Sequence, residues 1–223
     1  MKPVFSYYGG KSQLSGRIAA MLPPHRVYVE PFAGSAAVLF AKPPAIHEIL
    51  NDLNRDIVTF FRVLRERPDE LEVACRLTPY ARAEFEAADL TVDGIDDLER
   101  ARRWWVRVNQ SFAKAGHATT GWSTSILRGS NNARSAWNRV ERFAAVAQRL
   151  GTVTIECRDA LEVIAMYGAA DGVIYADPPY LETTRTAYAG GRRPGGDYVH
   201  EFSTVDQHHQ LADALRDDPG FMR

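Results

Sequence analysis

The sequence predicts an α/β fold on a doubly wound parallel sheet, and three observations carry that expectation. Short apolar runs alternate with amphipathic helical stretches at both ends of the chain, the pattern of βαβ units. The first run, Val27-Tyr28-Val29-Glu30, leads through a glycine-containing turn into a stretch of helix formers. A later one, Gly172-Val173-Ile174-Tyr175-Ala176, stops at Asp177-Pro178-Pro179-Tyr180, where two prolines with no N–H to donate end a sheet ladder and stiffen the turn.

The elements follow in order. Residues 27–30 read as a short buried strand, Pro31-Phe32-Ala33-Gly34-Ser35 as a tight turn, and residues 36–41 as the helix that follows. Residues 46–51 form a second strand candidate ending at Asp52, and residues 54–65 have helical spacing through Ile57, Phe60, Phe61 and Leu64. The rhythm then breaks. From about Pro68 to Leu150 there are helical segments and a polar loop but no strand, too long a stretch for one crossover. Within it, residues 100–112 put Trp104, Val108 and Phe112 on one helical face, and residues 136–150 put Val140, Phe143, Ala147 and Leu150 on one stripe. Residues 67–150 are therefore read as an inserted, mainly helical subdomain, and residues 1–66 and 151–223 as the discontinuous domain that carries it. Alternation resumes with a strand at 153–157, a helix at 160–166, the strand before Asp177 and a helix at 204–216.

A chain of 223 residues with a formal charge of −1 suits one domain with a large insertion. The charge is uneven: residues 101–150 hold nine Arg or Lys against one acid, a net +8 that predicts a polyanionic partner for that segment. Cys75 and Cys157 match no metal spacing and favour a reducing compartment. No run approaches the roughly 20 apolar residues of a membrane span, and the N-terminus has no apolar leader core, so a cytoplasmic, membrane-free protein is expected. His208 and His209 lack a third ligand at suitable spacing, so no metal site is expected.

Two places carry chemistry. In the turn after residues 27–30, Gly34 lets the backbone approach a ligand, and Asp52, at the end of the next strand, stands where an acid commonly takes the hydroxyls of a ribose. Asp52 equally suits the start of the helix near Asn54. An adenosine-containing cofactor follows from the pair. A dinucleotide needs Gly-x-Gly-x-x-Gly, whereas Phe32-Ala33-Gly34-Ser35-Ala36-Ala37 has one glycine with Glu30 just before it. S-adenosylmethionine has no phosphate and carries a sulfonium and an ammonium that acids suit. The second place is Asp177-Pro178-Pro179-Tyr180, a stiff acid and ring at a strand end, where open α/β sheets bind ligands.

Tyr7-Tyr8-Gly9-Gly10-Lys11, Val29-Glu30-Pro31-Phe32-Ala33-Gly34-Ser35, Asn51-Asp52-Leu53-Asn54 and Asp177-Pro178-Pro179-Tyr180, in this order around a basic helical insertion, resemble the DNA adenine methylase family of amino-methyltransferases. The resemblance runs from about residue 5 to residue 215. It implies a class I methyltransferase (Rossmann-like) sheet, S-adenosylmethionine as cofactor, double-stranded DNA as partner and a target-recognition role for the insertion. It places Tyr7 near the donor, Lys11 near the donor's carboxylate with Gly10 beside it, Phe32 and Gly34 along its methionine side, Glu30 and Asp177 in the same pocket, Asp52 on its ribose and Asp159 by its adenine. Asp159 is equally suited to cap the helix after it.

Adenine's exocyclic amine is a poor nucleophile because its lone pair is delocalised into the ring. Asp177 and the Pro178 carbonyl suit its two hydrogens, with Pro179 stiffening the turn and Tyr180 stacking on a base flipped out of the duplex for in-line methyl transfer. For DNA, the candidates are Asn109, Lys114, Trp122, Arg128, Asn131, Asn132 and Arg134 in the insertion, with Arg192 and Arg193 in a glycine-rich loop expected to close near the base. Asp rather than Ser before Pro178 favours adenine over the amine of cytosine.

The chain departs from the family in two places. Family members continue past the helix matching residues 204–216 with further strands, so C-terminal strands of the sheet are expected to be missing and the strand before Asp177 to be an edge. Ala36 stands where the family often has a second glycine. The alternative reading is a truncated, inactive or DNA-binding-only relative, as a phage or mobile element could carry; the active reading includes a restriction-modification role.

Overall fold

The computed structural model describes residues 1–7, 10–112, 121–123, 131–179, 202 and 204–217. Its elements run α1 (Ser15–Met21), β1 (Val27–Glu30), α2 (Ala37–Ala41), β2 (His47–Asn51), α3 (Arg55–Glu66), α4 (Pro68–Leu77), α5 (Arg82–Ala87), α6 (Asp97–Gln110), α7 (Asn132–Val140), α8 (Phe143–Leu150), β3 (Val153–Glu156), α9 (Ala160–Tyr167), β4 (Gly172–Ile174) and α10 (Val205–Asp217).

The four strands form a parallel sheet in the order β3-β2-β1-β4. The chain steps outward from β1 through β2 to β3, then returns to place β4 on the other side of β1. The carboxyl ends of β1 and β4 therefore flank the point where strand order reverses, the position at which open parallel sheets form a ligand crevice. Among the described residues β4 is paired on one side only, with β1.

Both faces of the sheet are covered. Tyr28 and Leu50 join the larger core, whereas their neighbours Val29 and Ile49 pack with Val163 of α9 on the other side, the alternation expected when successive side chains point to opposite faces. The larger core centres on α3, where Ile57, Phe60, Phe61 and Leu64 are buried at i, i+3, i+4 and i+7. Phe5 lies edge-on to Phe60 at 5.3 Å and to Trp104 of α6 at 6.2 Å, and Phe60 lies edge-on to Phe143 of α8 at 6.0 Å. Each such pair contributes about 0.5–1.5 kcal/mol beyond its area, and together they join α6 and α8 to the helix beside the sheet.

Helix starts follow local chemistry. Asn54, Asp96, Asn131 and Asp159 each accept a hydrogen bond from a backbone N–H of the first turn of α3, α6, α7 and α9. The helix expected over 136–150 is two helices, with Glu141 and Arg142 forming the turn between them. The stripe survives the break: Val140, Phe143, Ala147 and Leu150 are all buried. The short α1 was not expected from the sequence, because its Ser15-Gly16-Arg17 opening carries no apolar period.

A buried ion cluster ties the back of the sheet together. Glu48 of β2 accepts from Lys42 and from both terminal nitrogens of Arg149 at the end of α8, all three nearly inaccessible to solvent. Burial alone would raise the Glu48 carboxyl, but hydrogen bonds from Arg149, Lys42 and Ala45 N hold it below its ordinary value. Lys42 also sits over the Tyr28 ring at 4.5 Å.

Candidate active site

The carboxyl ends of β1, β2, β3 and β4 open into one cleft with about 1070 Å³ of empty volume, part of it open to solvent. Its wall includes Tyr7, Gly10, Lys11, Glu30, Phe32, Gly34, Asp52, Asp159, Asp177, Pro178 and Pro179, so the sequence candidates from five separate segments meet in one space. Tyr180 lies outside the described residues.

The turn after β1 has an unusual backbone. Gly34 has φ +48°, and a Cβ there would stand 3.2 Å from Cδ1 of Tyr7, so both conformation and space favour glycine. Gly10 is similarly confined, with Tyr7 O 2.8 Å from where its Cβ would be. Ala36 also has a left-handed backbone, φ 53°, which costs an L-residue about 1–2 kcal/mol. The family often has a glycine at this position, and the left-handed conformation is what favours one there.

Asp52 braces that turn, accepting from Gly34 N at 2.8 Å and from Asn54 N at 2.9 Å. The loops around it withdraw it from water and push its carboxyl up to about 6, against the pull of those two hydrogen bonds. Glu30, at the end of β1, is buried and accepts from Tyr28 Oη at 2.9 Å and Leu39 N at 3.2 Å. Burial pushes it up to about 8 despite both donors. Asp177 faces Lys11, whose Nζ lies 2.7 and 2.6 Å from its two oxygens. Lys11 thus reaches the strand-end acid across 166 residues of sequence. Asp159 caps α9 through Leu161 N at 2.8 Å while lining the cleft.

The sequence reading passed over several residues that shape the site. Asn51 donates to Pro31 O at 2.9 Å and Arg158 O at 3.1 Å and accepts from Arg158 N at 2.9 Å, fastening the loops after β1 and β3 together. A buried amide ending an otherwise apolar strand was the available signal. Tyr175, two residues before Asp177 and so on the same side of the chain, holds its hydroxyl 3.5 Å from that carboxylate. Phe202 closes one side of the cleft, edge-on to Phe32 at 5.3 Å, with the His208 ring against its other side at 5.3 Å. Among the described residues no group of three or more His, Cys, Asp or Glu could hold a metal ion.

The residues proposed for DNA divide. Trp122, half-buried, donates Nε1 to Gln110 at 3.2 Å, and the Arg82 guanidinium stacks on its ring at 4.9 Å. Asn132 donates to Ser123 Oγ at 3.2 Å, and Asn131 caps α7, where Arg134 is exposed. Asn109 requires a correction. It is 3 % exposed, its Nδ2 is donated to Trp105 O at 2.9 Å and its Oδ1 accepts from Arg139, so its amide faces the protein interior. Lys114, Arg128, Arg192 and Arg193 lie outside the described residues, as does the glycine-rich loop at 188–198.

The basic window is a second correction. Arg102 and Arg103 both bind Glu99, Arg149 binds Glu48, Arg139 reaches Ser6 Oγ at 3.1 Å, and Arg107 stacks on Phe85 at 4.1 Å. Three of these arginines, Arg102, Arg103 and Arg149, meet acids that lie earlier in the chain, so the sum over residues 101–150 overstates the field at the surface.

The model of the family described as D12 class N6 adenine-specific DNA methyltransferase matches residues 7–210 of this chain. The chain belongs to that family. This methyltransferase is 23% identical to the Type II methyltransferase M.MjaIII of Methanocaldococcus jannaschii over 209 residues, covering 84% of this chain and 72% of the relative. It is 26% identical to the DNA adenine methylase of Serratia marcescens over 215 residues, covering 92% and 76%. With the DNA N-6-adenine-methyltransferase of Escherichia phage P1 it shares 27% identity over 184 residues, 80% of this chain but 24% of that longer protein. The methyltransferase has no helix, among its described residues, long and apolar enough to cross a membrane.

Proposed function

We propose that the protein transfers a methyl group from S-adenosylmethionine to the exocyclic amine of an adenine rotated out of duplex DNA. One observation carries the reading: the carboxylate of Asp177 and the turn around Gly34 and Asp52 open into the same cleft at the strand-order switch. The residues present suit the donor. Gly34 lines the cleft on a left-handed turn with the Tyr7 ring against it, Asp52 offers acceptors for ribose hydroxyls, and Glu30 and Asp177 offer acidic partners for a cation. Phe32 supplies an apolar face.

When bound, the donor supplies a methyl group activated by its positively charged sulfur. The chain's own residues do the rest by positioning and electrostatics. Asp177 accepts one N–H of the adenine amine and the Pro178 carbonyl the other, so that electron density moves toward nitrogen as the methyl arrives. A carboxylate has about four lone-pair sites, so Asp177 keeps acceptor capacity while Lys11 holds it in place. Pro178 and Pro179 limit the motion of the acid, and Tyr180 offers a stacking face for the flipped base, offsetting part of an unstacking cost of a few kcal/mol.

Residues 67–150 are proposed as the target-recognition insertion on a class I methyltransferase sheet. Trp122, Asn131, Asn132 and Arg134 then face the DNA, and Lys114, Arg128, Arg192 and Arg193, outside the described residues, are proposed as further DNA contacts, while Asn109 stiffens the end of α6 from inside. DNA as substrate and two free cysteines fit a cytoplasmic location. The test is transfer of labelled methyl from S-adenosylmethionine to DNA. Wild type is expected to label adenine and Asp177→Ala to lose the labelling by at least a hundredfold while keeping its fold. A folded wild type that labels no DNA, or labels cytosine, would overturn the reading.

A further inference from the structure

Arg139, on α7 of the helical insertion, bridges two other parts of the chain. One terminal nitrogen donates to Asn109 Oδ1 at the end of α6, and the other donates to Ser6 Oγ at 3.1 Å, 133 residues away in sequence. The Asn109 amide is fixed for this by its own bond to Trp105 O at 2.9 Å, and its side chain is buried. A guanidinium suits the place because its planar fork serves two acceptors at once. Ser6 stands just before Tyr7, and Tyr7, Gly10 and Lys11 all line the cleft, whereas Arg139 does not.

The insertion meets the same N-terminal segment at further points. Arg142, in the turn after α7, donates to Pro3 O at 3.3 Å. Trp104 of α6 lies edge-on to Phe5 at 6.2 Å and tilted against the Tyr7 ring at 5.9 Å. The Tyr7 ring also stands against Gly34 of the turn after β1, so it joins a helix of the insertion to the turn that lines the cleft. The Arg139 bridge is not an ion pair. Both of its partners are neutral, and no acid pairs with it among the described residues; burial, with Arg142 close by, holds its guanidinium below its ordinary value. A half-buried charge on neutral partners keeps most of its desolvation cost, so the bridge supplies position more than stability.

We propose that Arg139 is a positioning residue for the methyl donor: by joining Asn109 to Ser6 it fixes the segment that presents Tyr7, Gly10 and Lys11 to the cleft. It acts through Ser6 and touches no ligand itself. A segment held in place beforehand does not have to be ordered when the donor binds, and the affinity gains by that saving. The helical insertion thus serves the donor pocket as well as the DNA. This rests on S-adenosylmethionine being the ligand, as proposed above.

The test is a double-mutant cycle on donor affinity, measured by equilibrium dialysis of S-adenosylmethionine against the whole folded chain. Arg139→Met is expected to weaken binding about tenfold and Ser6→Ala about fivefold, the scale of one hydrogen bond to a charged group. The double variant is expected to lose about tenfold, not the roughly fiftyfold of two independent effects. Urea unfolding of the same variants separates position from stability. Lower stability with unchanged donor affinity would overturn this inference and leave the function intact, as would losses of affinity that multiply in the double variant. If Arg139→Met does not fold, Ser6→Ala decides alone, and an unchanged affinity there overturns the inference. A folded wild type that does not bind the donor at all would overturn both.

Discussion

Replacing Glu30 by Gln is expected to stabilise the protein, by an amount that depends on pH. In the unfolded chain a Glu titrates at its ordinary value of 4.5, whereas in the folded protein burial holds Glu30 up to about 8. Between those values the folded state binds a proton that the unfolded state has lost, so stability is fully present below about 4.5 and falls as pH rises toward about 8. At about 1.4 kcal/mol per unit, the loss is about 3.4 kcal/mol at pH 7 and levels off at about 5 kcal/mol above pH 8, both upper bounds of order-of-magnitude precision. Gln does not titrate, and because Tyr28 and Leu39 address one oxygen, its amide carbonyl keeps both hydrogen bonds. Urea unfolding of wild type and Glu30→Gln at pH 5, 7 and 9 measures the difference, in which every other titrating group cancels. The variant is expected to gain little at pH 5 and several kcal/mol at pH 9. A difference that does not change with pH would refute the argument that Glu30 is buried neutral.

Three further outcomes follow from the geometry. Gly34→Ala meets a left-handed backbone and the Tyr7 ring edge at 3.2 Å; it is expected to cost about 1–2 kcal/mol in chemical denaturation and to weaken donor binding in equilibrium dialysis. Asn51→Ala removes the hydrogen bonds joining the loops after β1 and β3; a loss of about 2–3 kcal/mol in unfolding and weaker donor binding are expected, and unchanged affinity would show that the loops hold their places without it. Arg149→Leu leaves Lys42 as the sole cation on buried Glu48, expected to cost about 3 kcal/mol. The Glu48 carboxyl is held below its ordinary value, so its contribution is present at neutral pH and lost as pH falls. The variant's deficit should therefore shrink in acid unfolding.

Much of this molecule was legible because its signals are local. Val27–Glu30, His47–Asn51 and Gly172–Ile174 each hold neighbouring apolar residues and are followed by turn residues, and each is a strand. The stripe Ile57, Phe60, Phe61 and Leu64 is the buried face of α3. The residues that line the cleft were legible for the same reason, since strand ends in a parallel sheet converge on one crevice. Asn109 was misread because an amide beside charged residues looks like a surface reader, and only packing shows it facing Trp105 and Arg139.

The sequence by itself determined the order of the strands, the glycine turn, the acids at the strand ends and the motifs of the family, because each depends on residues within a turn or two of one another. Tertiary structure decided where the charges go. Arg149 meets Glu48 across 101 residues, Lys11 meets Asp177 across 166, and the arginines of the middle segment find acids outside it. Coulomb attraction and burial act on distance in space, which a count of charges along the chain does not measure. The same holds for Glu30, whose character comes from the residues that fold over it.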